Sequence, residues 1–361
     1  MQLNLSFWAG KSVLITGHTG FKGTWLSKTL VALGAKVSGY SLPPSTNPNI
    51  FETSKLANYL NHHMIGNICN KDQLNVAFSK VEPDVLFHMA AQPIVSLGYE
   101  KPLETFDTNV MGTVNVLDEA RHMQPGAPII VVSSDKCYLN MDQGRAFVET
   151  DHLGGRDPYS ASKAGTEIVA SAFQSSYFST IKTPRLATAR AGNVIGGGDW
   201  SKNRLIPDLA RSYQSKQPIT LRMPEATRPW QFVMEPLIGY VLLAQALSEN
   251  SSFKGAWNFG PDETGVRKVV DVIRAICDCW EIPPSINMSS SFRSQHEATT
   301  LAVNSSKAKN ELGWLPQLST QEAIEWTAEW YDSHLNGSDG GKALLEKQIS
   351  DYLKRVDSCD A

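Results

Sequence analysis

Apolar runs and helix-period segments alternate along the first half of the chain. Residues 11–16 read as a short buried strand. A glycine-rich turn follows from Gly17 to Gly23, then an apolar-periodic helix from Trp25 to Leu33, stopped at Gly34. A second strand is expected over residues 35–40. Strand, turn, helix and strand in this order make one parallel crossover. The alternation continues with a strand over 83–91 that exits through Ala90 and Ala91, and a helix over 102–123. A strand over 128–133, a helix over 158–177 and a strand over 185–191 follow. This rhythm predicts the α/β class, a doubly wound parallel Rossmann-type sheet.

After Asn193 the texture changes. A flexible loop, Gly196 to Trp200, leads to helices expected over 206–215, 241–247, 268–280 and 305–312, with a terminal helix near 344–356. A strand over 256–259 reads as rejoining the first domain, and a Ser-rich loop with a strand is expected over 289–303. The expected division is a dinucleotide-binding domain over 1–190, with returning elements near 231–262, and a smaller, mainly substrate-binding domain over 191–361.

Composition narrows the function classes. At 361 residues, with 42% hydrophobic and 19% charged side chains, the chain has the make-up of a globular protein with a sizeable core. Its 33 basic and 36 acidic residues nearly cancel and form no basic block, which speaks against nucleic acid as a partner. The N-terminus lacks the basic region and long apolar run of a signal peptide, and no stretch is long enough to span a membrane. Cys69, Cys137, Cys277, Cys279 and Cys359 show no disulfide-framework or zinc-site spacing. His62, His63 and His152 lack partners at ligand spacing, and His88 reads as a packed histidine. The expectation is a cytoplasmic protein without a metal.

The chemistry gathers where strands end. Glycines at 17, 20 and 23 allow a tight turn and close backbone approach to a pyrophosphate at a helix N-terminus. Asp157 and Pro158 suit a helix start, which puts Tyr159 and Lys163 four apart on one face. An ammonium beside a phenol favours the phenolate, and the Ser134 hydroxyl could share a substrate oxygen with it. Gly17, Ala90 and Ser134 would converge beyond the strands' carboxyl ends, so the residues read as a hydride-transfer site with a nicotinamide cofactor. Asp135 and Lys136, at the same strand end, suit proton traffic at neighbouring carbons. Arg204, Arg222, Arg228 and Arg293 fall on loops or loop edges and could grip a diphosphate. Trp200 and Trp230 could pack on a base or sugar, or on the protein itself.

The motifs together resemble the extended short-chain dehydrogenase/reductase family. They are Gly17-x-x-Gly20-x-x-Gly23, His88 to Gln92, Thr108-Asn109-Val110-x-Gly112-Thr113 and Tyr159-x-x-x-Lys163, and the likeness continues to the segment from Ser305 to Trp314. Within the family, Ser134-Asp135-Lys136 resembles the Thr-Asp-Glu of the nucleotide-sugar 4,6-dehydratases. That resemblance implies bound NAD and a three-stage reaction. Tyr159, with Ser134 and Lys163, would take the C4 hydroxyl proton. Lys136 would take the C5 proton while Asp135 protonates the leaving C6 hydroxyl. The product would be a 4-keto-6-deoxysugar destined for surface polysaccharide such as O-antigen.

The same resemblance implies cofactor contacts from Gly17, Thr19, Gly20, Phe21, Lys22, Gly23, Tyr40, Asn67, Ile68, Ala90, Ala91, Gln92, Asn109, Tyr159 and Lys163. It implies substrate contacts from Asn193 and Arg228, to which the loop arginines Arg204, Arg222 and Arg293 are added, and a homodimer or homotetramer is expected. The end of the second strand, Ser38 to Ser41, carries neither the acid that NAD enzymes use on the ribose nor the arginine of NADP enzymes, so NAD rests on the resemblance. The rival readings are a 4-epimerase, which needs no Asp135-Lys136 pair, and a non-catalytic cofactor binder.

Overall fold

The computed structural model describes residues 2–142, 144–221, 223–261, 265–288, 301–337 and 339–358. Seven strands form one parallel sheet: β1 Ser12–Thr16, β2 Lys36–Ser41, β3 His62–Ile65, β4 Val85–His88, β5 Pro128–Val132, β6 Arg185–Ala191 and β7 Gly255–Phe259. Their order is β7-β6-β5-β4-β1-β2-β3. The direction of winding reverses between β1 and β4, which opens a crevice at their carboxyl ends.

The strand pattern explains the two cores. Val13 and Ile15 of β1 and Ile130 of β5 face one layer, while Leu14, Ile129 and Val131 face the other. The first layer contains α1 (Phe21–Ala32) and, later in the chain, α6 (Met234–Glu249). The second contains α2 (Lys71–Val81) and α3 (Gly112–Ala120), with part of α4 (Pro158–Ser176).

Several boundaries differ from the sequence expectation for physical reasons. α1 begins at Phe21, inside the glycine run, because Gly20 serves as its extended N-cap. α6 is longer than 241–247 because it is buried on nearly every side and so lacks a polar stripe. The single helix expected over 102–123 is Pro102–Phe106, a π turn over Asp107–Met111, and α3. β3 was not anticipated; it is a four-residue edge strand that pairs His62 to Ile65 with Ser38 to Ser41.

Past Ala191 the chain leaves the sheet. It forms α5 (Leu205–Ser215), α7 (Val269–Cys279) and short two-stranded pairings, and it returns for β7, which pairs with β6. The expected strand within 289–303 lies mostly outside the described residues, though Val303 bridges to Phe147. Three helices close the chain: α8 (Ser306–Leu312), α9 (Thr320–Asn336) and α10 (Lys342–Ser358). α9, which sequence reading missed, starts in a Ser319/Glu322 capping box. The last two helices dock back on the sheet domain. Lys28 of α1 pairs with Glu346 at 2.8 Å, and the Tyr352 hydroxyl donates to buried Glu235 at 2.6 Å. Among the described residues no helix is long and apolar enough to cross a membrane, and no acid, His or Cys cluster could hold a metal.

Candidate active site

A cavity of about 1260 Å³ opens at the carboxyl ends of the strands. Its floor is the glycine turn between β1 and α1. Gly17 has φ +81°, and a Cβ there would stand 2.7 Å from the Ala90 nitrogen, so the β1 and β4 exits touch through bare backbone. A Cβ on Gly23 would stand 2.1 Å from the Gly17 carbonyl. A Cβ on exposed Gly20 would meet nothing closer than 3.4 Å, so the α1 N-terminus presents its backbone N–H groups to open space. This cradle fits a pyrophosphate, the chemistry a dinucleotide would bring. Thr19 closes one side, donating to the Leu42 carbonyl at 2.8 Å and lying 2.9 Å from the Ser41 hydroxyl.

The wall above the turn holds the reactive side chains. Asp157 caps α4, accepting from the Ser160 N–H at 3.0 Å, with Pro158 at the first helical position. Tyr159 and Lys163 then lie on the buried face, as the spacing predicts. The Lys163 ammonium donates to the Val132 carbonyl at the end of β5, 3.1 Å away. Burial pulls Lys163 down to about 8, partly offset by Glu167 one turn on. Burial likewise pushes Tyr159 up to about 12, against the pull of the Ser134 hydrogen bond and of Arg204. Lys22 reaches the same space, lowered to about 8 by burial and then by Arg204.

A short 3-10 turn, Asp135–Cys137, follows β5. Ser134 caps it, accepting from the Lys136 N–H at 3.2 Å and donating to buried Asp135 at 3.0 Å. Lys136 lines the cavity, and its ammonium has no partner among the described residues. One acid and one amine thus stand beside the Tyr159–Lys163 pair.

On the far side, Asn193, Arg204 and Arg228 also line the cavity. Arg204 pairs with the largely buried Asp199 at 3.0 Å. Arg222 and Arg293 lie outside the described residues. Trp200 and Trp230 are both buried at the cavity edge; Trp200 packs against Tyr331 and Trp230 donates to the Arg267 carbonyl.

Of the expected cofactor residues, Gly17, Thr19, Gly20, Phe21, Lys22, Gly23, Asn67, Ile68, Ala90, Ala91 and Gln92 all border the cavity. Tyr40 and Asn109 do not line it. Tyr40 is buried behind the wall with its hydroxyl given to the Asn67 carbonyl at 3.0 Å; Ser41 and Leu42 take its place at the surface. Asn109 is buried as a brace, accepting from the Gln92 N–H at 2.8 Å and donating to Ser162 at 2.8 Å. It holds the β4 exit against α4 instead of facing the cavity. Sequence reading also missed Gly192, Asp199 and Arg211; only Gly192, directly after a strand, left a signal.

The sequence model of the GDP-mannose 4,6 dehydratase family matches residues 14–327. The chain belongs to the GDP-mannose 4,6 dehydratase family. The family match runs from β1 into α9 and so takes in every part of the cavity described above. A CDP-glucose 4,6-dehydratase of Salmonella typhimurium is 41% identical over 356 residues, 97% of this chain and 98% of that protein. A Xanthomonas campestris dTDP-glucose 4,6-dehydratase is 25% identical over 88% of this chain and 92% of its own length. The dTDP-glucose 4,6-dehydratase DesIV of Streptomyces venezuelae, solved with NAD and TYD bound, superposes with a TM-score of 0.76 at 22% identity, covering 89% of this chain and 97% of that one. That last likeness concerns the fold alone. The doubly wound sheet expected from the alternation is thus the fold of this family.

Proposed function

We propose that the protein is an NAD-dependent CDP-glucose 4,6-dehydratase. The observation that carries this reading is the placing of Asp135 and Lys136 at one strand end beside Ser134, Tyr159 and Lys163. A redox site alone needs only the last three. The extra acid and amine suit loss of water across two neighbouring carbons. The choice of CDP-glucose is supported by the 41% identity to the Salmonella enzyme over nearly both whole chains.

The cradle of Gly17, Gly20 and Gly23 would hold NAD, which would supply the hydride acceptor for C4 and the hydride donor for C6. The chain's own residues handle the protons. Tyr159, as phenolate, accepts the C4 hydroxyl proton; Ser134 hydrogen-bonds the same oxygen, and the Lys163 cation beneath favours the phenolate. The C4 carbonyl then acidifies the C5 proton, which passes to Lys136 in its neutral form. Asp135 gives its proton to the departing C6 hydroxyl, which leaves as water. Lys136 then gives its proton back to C5. The sum is loss of one water, giving CDP-4-keto-6-deoxyglucose, with the cofactor restored. Asn193, Arg204 and Arg228 hold the nucleotide diphosphate.

Incubating the purified protein and NAD with CDP-, dTDP-, UDP- and GDP-glucose tests this. The readouts are the alkali-induced absorbance of a 4-keto-6-deoxysugar and the product mass. A product from CDP-glucose alone, lighter by one water, is expected. The same chemistry on another nucleotide would overturn the base assignment, and an unchanged mass with inverted C4 would make the protein an epimerase.

The same reading includes self-association and a cytoplasmic setting, where sugar nucleotides and NAD are found together. Leu103, Phe106 and Met111 are exposed apolar side chains on segments that pack against α4, which carries exposed Ile168. A second copy covering these side chains would give a four-helix contact. Charged substitutions at Leu103 and Ile168 should yield monomers by light scattering; an unchanged mass would refute the contact.

A further inference from the structure

A buried polar network joins the two halves of the site and meets the cavity wall at Tyr138. Glu167 lies one turn past Lys163 on the buried face of α4. Its Oε2 accepts from Arg190 of β6 and from Thr188, both at 2.8 Å. Arg190 also donates to the Tyr138 hydroxyl at 2.8 Å and to the Glu149 carbonyl at 3.1 Å. The Tyr138 hydroxyl in turn donates to Asn258 of β7 at 2.7 Å, and Asn258 donates to the Phe147 carbonyl at 3.0 Å. Tyr138 directly follows the turn that carries Asp135 and Lys136. All five side chains are almost fully buried.

Such a network is a poor source of stability. Two desolvated charges gain little over an apolar packing of the same shape. Here Glu167 Oε1 and Arg190 Nε also lack partners among the described residues. What the network does supply is registration. The helix bearing Tyr159 and Lys163 and the turn bearing Asp135 and Lys136 come from different parts of the chain. They must nonetheless act in succession on adjacent carbons of one sugar.

We propose that Tyr138 is a positioning residue for the elimination: through Arg190 and Glu167 it fixes the Asp135–Lys136 turn relative to the Tyr159–Lys163 helix. This rests on the dehydratase reading above. Tyr138 lines the cavity wall, but its hydroxyl is taken up by Arg190 and Asn258, and its ring stacks on Phe147 with centroids 4.9 Å apart. Tyr138→Phe keeps that stack and removes only the hydroxyl. The turn then loses its hydrogen bonds to Arg190 and Asn258, keeping only the ring beneath the Arg190 guanidinium, while the Glu167–Arg190 pair and the Tyr159 side of the site stay in place.

The test is steady-state kinetics of wild type and Tyr138→Phe with CDP-glucose carrying deuterium at C4 or at C5. A displacement of about an ångström in an acid–base group costs up to about a hundredfold in rate, so kcat should fall about tenfold or more with KM little changed. The C5 isotope effect should rise above the wild-type value and the C4 effect should collapse toward unity, because proton loss at C5 becomes the slow step. An unchanged kcat, or a slowed reaction with the C4 effect undiminished, would overturn the proposal. Should Tyr138→Phe fail to fold, Asn258→Ala reaches the same hydroxyl from its acceptor side and should show the same isotope pattern. Failure of both to fold would assign the network to the fold alone and defeat the inference. Wild-type protein inactive on every sugar nucleotide would sink the dehydratase reading and this inference with it; an active wild type with an unaffected variant would sink the inference only.

Discussion

Gly192 leaves room for Asp135. A Cβ at position 192 would stand 3.0 Å from Oδ2 of Asp135, with Pro229 closing the other side at 3.5 Å. The backbone at Gly192 is not left-handed, so alanine is allowed there by conformation and opposed only by that carboxylate. Gly192→Ala should therefore push Asp135 aside by a few tenths of an ångström. We expect kcat to fall about tenfold, in the range typical of a disturbed general acid, with little change in melting temperature. Wild-type kcat in a folded variant would refute the close fit.

Lys136 has the clearest chemical assignment to test. Removing a general base costs about a hundredfold to ten-thousandfold in rate. Lys136→Ala should lose turnover on that scale and should no longer exchange the C5 hydrogen with deuterated solvent, while still binding CDP-glucose. C5 exchange at the wild-type level, followed by mass spectrometry, would remove Lys136 from the role.

One link from the C-terminal helices to the site is a phenol. The Tyr331 hydroxyl of α9 donates to the Asp199 carbonyl, and the Asp199 carboxylate holds Arg204 at 3.0 Å. Tyr331→Phe frees that turn. One hydrogen bond is worth about 1 kcal/mol, so KM for the sugar nucleotide should rise about fivefold with kcat nearly unchanged. A fall in kcat without a change in KM would place the effect elsewhere.

Acid stability should report on His88. It is buried at hydrogen-bond distance from the Thr16 and Thr113 hydroxyls, 2.8 and 3.0 Å away, and burial, then Lys163, lowers it from 6.5 to about 3. Its folded pKa is depressed, so the unfolded chain binds more protons between these values and stability falls as pH drops through that window. His18, lowered to about 3 by burial and then by His63, acts with the same sign. Glu235, raised from 4.5 to about 7 by burial, has the opposite sign, losing stability as pH rises between those values. Each histidine contributes a slope of at most about 1.4 kcal/mol per pH unit. Thermal unfolding of His88→Gln across the window should show a slope flatter by about that amount; an equal slope would mean that His88 already titrates normally.

How much of this was legible in the sequence depended on periodicity. The strands of the sheet centre stood out by their apolar runs, Val13 to Ile15 in β1 and Ile129 to Val132 in β5. β3 did not, because a short edge strand with two histidines has neither an apolar run nor a turn signal of its own. α6 was read short for the reverse reason: a helix buried all round has no stripe. At the site, spacing on one element was reliable, as Tyr159 and Lys163 on α4 illustrate. Which way a motif residue faces was not. Tyr40 and Asn109 sit beside the cavity in sequence, but each is turned inward by a partner far along the chain, Asn67 for one and Ser162 for the other. The Glu167–Arg190–Tyr138–Asn258 chain was invisible because its members come from four separate elements.

β7 is the last strand of the sheet to be made, and it lies on β6 only after the whole 192–254 excursion has left the ribosome. Until Gly255 to Phe259 emerge, the nascent sheet carries a bare hydrogen-bonding edge along the strand that holds Arg190. Such an edge can pair with another chain. Translation that stalls within the excursion therefore leaves a sheet with an open side, and a fragment cut at residue 190 would inherit that stickiness permanently.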